Sequence, residues 1–216
     1  MKVALIGATG FVGSHILQEL INRNYEVTAI ARNVDKIKDK PHVLAVQTDV
    51  NDEGRLASAL KGNDVVISAY NAGWENPEIY DDFLAGGRHI LQAVKDAGIK
   101  RLIIVGGAGS LKINDESRIV DSPDFPAAIK PGALAAADYL EVVKREDELD
   151  WTFFSPAIEM NPSNSGTRKG EYRTAIGHPV FDHDGKSILS VEDVAVAIAD
   201  ELENNKFIKQ HFTAAY

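Results

Sequence analysis

Cysteine is absent from the 216 residues. That excludes a disulfide framework, a thiolate metal site and a cysteine nucleophile. No apolar run approaches the roughly 20 residues that a membrane-spanning helix needs. The run Val3-Ala4-Leu5-Ile6 is too short for a secretion signal and has no small-residue cleavage site behind it. A cytoplasmic protein with no membrane partner is expected. A basic stripe is also missing, since 23 Lys+Arg face 32 Asp+Glu for a net charge of −9. No nucleic-acid partner is therefore expected. The histidines and carboxylates show no common metal-ligand spacing, so no metal is expected.

What remains fits one globular domain over 1–216. Hydrophobic residues make up 44% and charged residues 25%, close to the globular average. The charge is unevenly spread. Residues 1–50 carry six basic and five acidic side chains, so the rest of the chain carries −10. An anionic ligand would sit on the near-neutral N-terminal part.

Short apolar runs alternate with helically spaced ones. Strands are expected at Val3–Ile6, Glu26–Ala31, Val43–Gln47, Asp64–Ser68, Arg101–Val105 and Trp151–Phe154, with a last one at Gln210–Ala214. Helices are expected over Phe11–Asn22, Glu53–Leu60, about Pro77 to Ala97, and 132–149. This alternation predicts βαβ units and a doubly wound parallel sheet, a Rossmann-like α/β fold. Residues 157–187 are rich in Gly, Pro, Asn, Ser and His. They read as a loop-rich cap on the substrate side, with a hairpin between Glu171–Ala175 and Val180–Phe181. Ser190 with Asp193 three residues on reads as a near capping box for a final helix.

Gly7-Ala8-Thr9-Gly10-Phe11-Val12-Gly13 joins the first strand to the first helix. In a dinucleotide loop the first glycine makes the tight turn, the second lets backbone approach a pyrophosphate, and the third lets helix and strand pack closely. The helix-start amides and dipole then favour phosphate. The end of the second strand reads Ala31-Arg32-Asn33, where an NAD site would carry an acid. The Arg32 fork suits a 2′-phosphate, so NADP(H) is expected over NAD(H); a solvated surface arginine is the alternative. Asp35 lies past the strand end and suits a helix start. Asp49 and Val50 follow the third strand, where Asp49 could accept from an adenine amino group or cap a helix. Ser68, Ala69 and Tyr70 end the fourth strand, Gly106 and Gly107 the fifth, and Pro156 the sixth. Strand carboxyl ends are where such sheets bind ligands, so these residues join the expected cofactor site.

With Gly7–Gly13, Arg32, Asp49-Val50, Val105–Leu111 and Asp150–Ala157 in view, the chain resembles the short-chain dehydrogenase/reductase superfamily. More narrowly it resembles the atypical NAD(P)H-binding, NmrA-like group, and more loosely the flavin and biliverdin-IXβ-type reductases. The resemblance spans nearly the whole chain. It implies a Rossmann fold, NADP(H) and a redox or sensing role toward a small-molecule substrate. The reading is an oxidoreductase reducing a small carbonyl, flavin or quinone-like compound. The alternatives are a non-catalytic NADP(H) sensor and an isomerase or epimerase.

The superfamily's catalytic Tyr and the Lys four residues later are not matched. The nearest pair, Tyr139 and Lys144, is five apart, or about 140° round a helix, on different faces. Ser110 and Tyr139 are the hydroxyls left as catalytic candidates. Ser110 falls where the superfamily often has a hydrogen-bonding serine, and a loop-capping serine is the alternative. Lys130, expected just before a helix, could touch cofactor or solvent. Trp74 and Tyr80 could stack on a flat ligand or fill a gap under the long helix. His178 and His183, beside Asp182 and Asp184, read as solvated loop residues, and His89 as packed or surface. Glu159 could face the pocket.

Overall fold

The computed structural model describes all 216 residues. Its elements are β1 (Lys2–Ile6), α1 (Phe11–Asn22), β2 (Glu26–Ala31), β3 (Val43–Gln47), α2 (Glu53–Leu60), β4 (Val65–Ser68) and α3 (Ile79–Asp96). They continue with β5 (Arg101–Val105), α4 (Lys130–Val143), β6 (Asp150–Ser155), β7 (Arg173–Ile176), α5 (Val191–Asn204) and β8 (Gln210–Ala215). The eight strands form one sheet in the order β3-β2-β1-β4-β5-β6-β8-β7. All neighbours run parallel except β7, which is antiparallel to β8. The order reverses between β1 and β4, which is where a doubly wound sheet opens a crevice.

The continuous apolar runs are explained by burial on both faces. Val3, Leu5 and Ile67 belong to an apolar cluster with Ile16 and Leu17 of α1 and Val194 and Ile198 of α5. Ala4, Ile6 and Val66 belong to a second, with Leu56 of α2, Phe83 and Ile90 of α3 and Leu140 of α4. The sheet lies between them.

Three local expectations are corrected. Segment 173–176 pairs with β8, in the register Ala175↔Thr213, and Val180–Phe181 forms no strand. β8 leaves one edge unpaired after joining β6, and β7 fills it. The fourth helix ends at Val143, because the charged run Lys144–Glu148 offers nothing to bury and turns instead. Its start is Lys130, which is therefore helical and half-buried. Ser190 does cap α5 by accepting from the Asp193 amide. The Asp193 carboxylate makes no return bond; it takes the Lys169 and Gly170 amides and the Tyr216 hydroxyl. That contact fastens the end of the chain and the loop after β6 to α5.

Candidate functional site

The loop between β1 and α1 divides its glycines by task. Gly7 has φ +79°, a left-handed conformation, and a Cβ there would lie 2.5 Å from the Ala69 carbonyl oxygen. A Cβ on Gly13 would lie 2.1 Å from the Gly7 carbonyl oxygen. Both positions therefore serve backbone packing. Gly10 is exposed, and a Cβ there would meet only one protein atom, at 3.4 Å. The helix it opens has no side-chain cap. The amides of Phe11, Val12 and Gly13 find no acceptor in the protein. Free N–H groups at a helix start, reached across a side-chain-free residue, make a phosphate-shaped cradle.

A cleft of about 350 Å³ extends from this cradle over the ends of β1, β2 and β3, lined by Gly10, Arg32, Asp49, Val50, Ala69 and Tyr70 among others. Arg32 is exposed and makes no ion pair or hydrogen bond in the protein, which leaves its fork available at the rim. Asp49 accepts from the Asn51 amide and keeps an exposed carboxylate; the cap of α2 is Asp52 instead. Ala8 and Ser68 are buried beneath the cleft, and Thr9 faces solvent on its edge. These groups fit an adenine dinucleotide, with donors for phosphate at the centre, a free cation at one end and a carboxylate beside it. A second hollow of about 440 Å³ lies between β7 and α5, lined by acidic groups such as Glu171, Asp200 and Glu201 together with Lys206 and Phe212.

The two tyrosines turn inward. The Tyr70 hydroxyl donates to the Asp82 carbonyl, and burial pushes its pKa up to about 12. Tyr139 is buried, donates to the Gly87 carbonyl at 2.8 Å, and has its pKa driven far above the ordinary range by desolvation. The glycine pair Gly86-Gly87 of α3 admits both rings, since a Cβ on either would strike one of them. Tyr139 as a catalytic group is therefore corrected to a core residue, packed edge-on to Phe83. Lys144 lies on another face and pairs with Glu141. We expect Tyr139→Phe to change any turnover by less than about tenfold. It should lower stability by about 1 kcal/mol, the net worth of one hydrogen bond, measurable by urea denaturation.

Ser110 closes a 3₁₀ turn, Ala108–Ser110, after β5. It is buried, and its hydroxyl contacts the Gly107 carbonyl at 2.8 Å and the Ser155 hydroxyl at 2.6 Å. Ser155 Oγ is 2.9 Å from His211 Nε2. Burial, helped by the charges of Lys144 and His178, lowers the His211 pKa to about 4, so the ring is neutral near pH 7. Gly106 lies close over Phe153, which a Cβ would strike at 2.1 Å. Gly107 is open apart from Ala136, and Pro156 is buried beside the turn's edge of the sheet. The sequence singled out neither Ser155 nor His211. Their signal was the polar residues Thr152, Ser155, His211 and Thr213 within two strands buried on both faces.

The remaining candidates lie away from the cleft or on the surface. The Tyr80 hydroxyl donates to Asp138, whose other oxygen takes Arg118. Trp74 is 60% exposed and lies against Gly132 near the start of α4. His89 bridges to Asn51 and Glu53. His178 contacts the Lys112 carbonyl, and Asp182 accepts the Asp184 and Lys186 amides beside exposed His183. Glu159 is exposed.

A family model described as NAD(P)H-binding matches residues 7–205. Three solved structures are similar over all of this chain. A proposed epimerase of Bacteroides thetaiotaomicron is 43% identical, with TM-score 0.91 and 96% of its own chain covered. A protein of Burkholderia pseudomallei described as exported is 39% identical, with TM-score 0.87 and 100% covered. A proposed NADH-flavin reductase of Streptococcus pneumoniae is 34% identical, with TM-score 0.87 and 99% covered. No helix of this chain is long and apolar enough to cross a membrane.

Proposed function

Because the chain belongs to the NAD(P)H-binding family, an atypical branch of the short-chain dehydrogenase/reductases, we propose that it is an NADP(H)-dependent oxidoreductase. Its substrate would be a small carbonyl, flavin or quinone-like compound. The observation that carries this reading is the uncapped, glycine-opened start of α1 with the unpaired Arg32 at the rim of the same cleft. The amides of Phe11, Val12 and Gly13 would take the pyrophosphate. Arg32 would take the 2′-phosphate and Asp49 the adenine amino group. Gly107 and Ser110 would flank the nicotinamide end. Bound NADPH supplies the hydride, while the protein orients the acceptor and excludes water. The Streptococcus neighbour's name supports a reductase. The Bacteroides neighbour's name favours a second reading, epimerisation, in which no NADPH is consumed overall. The reductase reading places the protein in the cytoplasm, where NADPH is held reduced.

The test is a titration of NADPH and NADH into the wild type and Arg32→Ala, beside a spectrophotometric assay of NADPH oxidation with flavins, quinones and aldehydes. A charge-assisted hydrogen bond is worth about 1.5–3 kcal/mol, so NADPH should bind Arg32→Ala about tenfold to 150-fold more weakly. NADH should be unaffected. Equal affinity of the wild type for both cofactors would reject the assignment of Arg32.

A further inference from the structure

Ser110, Ser155 and His211 come from the turn after β5, the end of β6 and the start of β8, and they share one face of the sheet. Phe153 pairs with His211 and Ser155 with Thr213 across the β6/β8 ladder. Alternation along each strand puts Phe153, Ser155, His211 and Thr213 on one side, and the Phe153 and His211 rings meet edge to face at 5.7 Å. All three polar members are at least nine-tenths buried. Thr213 Oγ1, in register with Ser155, is buried without any partner. An unused buried hydroxyl is costly unless a polar guest satisfies it.

Counting protons fixes the direction of the array. Each hydroxyl has one proton to give. The Gly107 carbonyl can only accept, so Ser110 donates to it across 2.8 Å. The 2.6 Å contact between the serines then takes the proton of Ser155. The 2.9 Å contact from His211 is left to Nε2–H, donating to Ser155. One arrangement satisfies these three, with His211 and Ser155 donating toward Ser110 and Ser110 donating to Gly107; His211 Nε2 also lies 3.4 Å from the Ser110 hydroxyl. The neutral ring keeps Nδ1 unprotonated. That atom faces the Gly177 turn, 4.0 Å from the position a Cβ would take there, next to exposed His178.

We infer that Ser155 and His211 form a proton relay that resupplies Ser110, and that the substrate is therefore a carbonyl compound whose oxygen needs a proton as it is reduced. This rests on the NADP(H) oxidoreductase reading. Bound NADPH would supply the hydride to the carbonyl carbon, with the C=O electron pair passing to oxygen. That oxygen takes the Ser110 proton, turned from the Gly107 carbonyl. Ser110 takes the proton of Ser155 and Ser155 takes the Nε2 proton as Nδ1 takes one from solvent; the ring then returns to its Nε2–H tautomer by proton exchange with solvent before the next turnover. The sum is one carbonyl, one NADPH and one proton giving one alcohol and one NADP⁺. Ser110 is the catalytic residue, and Ser155 and His211 are positioning residues acting through it.

The experiment compares wild type with Ser110→Ala, Ser155→Ala, His211→Asn and His211→Gln, using NADPH and an aldehyde series. Glutamine keeps an N–H donor toward Ser155 but cannot pass a proton on. The relay requires kcat to fall about tenfold to a hundredfold in Ser155→Ala and in both His211 variants, and at least about a hundredfold in Ser110→Ala. KM for the aldehyde and Kd for NADPH should not change. Independently of activity, ¹⁵N NMR of the histidine ring in the wild type should show the Nε2–H tautomer. The Nδ1–H tautomer, or wild-type kcat in His211→Gln, overturns the relay alone. A wild type that reduces flavins or quinones but no aldehyde overturns the carbonyl assignment and the relay; one that binds NADPH and reduces none of the three classes overturns the oxidoreductase reading with them.

Discussion

Gly10→Val will give a folded protein that does not bind NADPH. Gly10 has φ −72° and ψ 171°, an extended conformation open to any residue. A Cβ there meets no protein atom closer than 3.4 Å, so the fold itself does not object to a side chain. The branched valine would instead fill the space in front of the free amides of α1, where the pyrophosphate is proposed to lie. Denying that contact removes the central anchor of the cofactor, and the expected loss is at least about a thousandfold, roughly 4 kcal/mol. Isothermal titration with NADPH, alongside a thermal melt, reads both halves. Native melting with normal NADPH binding would reduce the loop to a structural turn.

Gly13→Val should do the reverse and damage the fold. A Cβ at this position would sit 2.1 Å from the Gly7 carbonyl oxygen and 2.8 Å from its carbon. Neither atom can swing away, because Gly7 donates to the Ile30 carbonyl and sits hard against Ala69. The helix must back off the sheet, where Ile16, Leu17 and Leu20 are fully buried. Overpacking typically costs about 1–3 kcal/mol, and a clash with the backbone of Gly7 and Ala8 belongs at or above the top of that range. A midpoint lower by roughly 6–12 °C follows for a chain of this size. A variant within about 1 kcal/mol of the wild type in urea would refute the close-packing role of the third glycine.

The fold was largely legible because its signals are local. Six parallel strands are fully buried or nearly so, which writes them as apolar runs, and the glycine loop announces the first crossover. The failures came where long-range pairing decides. Segment 173–176 has no signal for its partner; it pairs with β8 some 40 residues away because that edge would otherwise stand open. Tyr139 was readable as lying on a different face from Lys144, but not as sealed under α3. The hint was the Gly86-Gly87 pair, which makes room for two rings in a helix interior where glycine is otherwise unfavourable. The array of Ser110, Ser155 and His211 joins residues up to 101 positions apart. Only the sheet order brings them together, so no spacing in the sequence encodes them.

The sheet separates the two largest apolar clusters, which lie on its opposite faces. Ala157 and Val180 of the loop-rich cap, and Leu189 just after it, are rooted in the layer of α1 and α5. Phe153 and Tyr139, which border the hydroxyl array, are rooted in the layer of α2, α3 and α4. Substitutions in separate layers share few partners, and such changes tend to add rather than interfere. The cap, which we propose faces the substrate, can thus change while the opposite layer keeps the hydroxyl array in place. A fold divided this way is suited to a lineage whose members diverge in specificity faster than in chemistry.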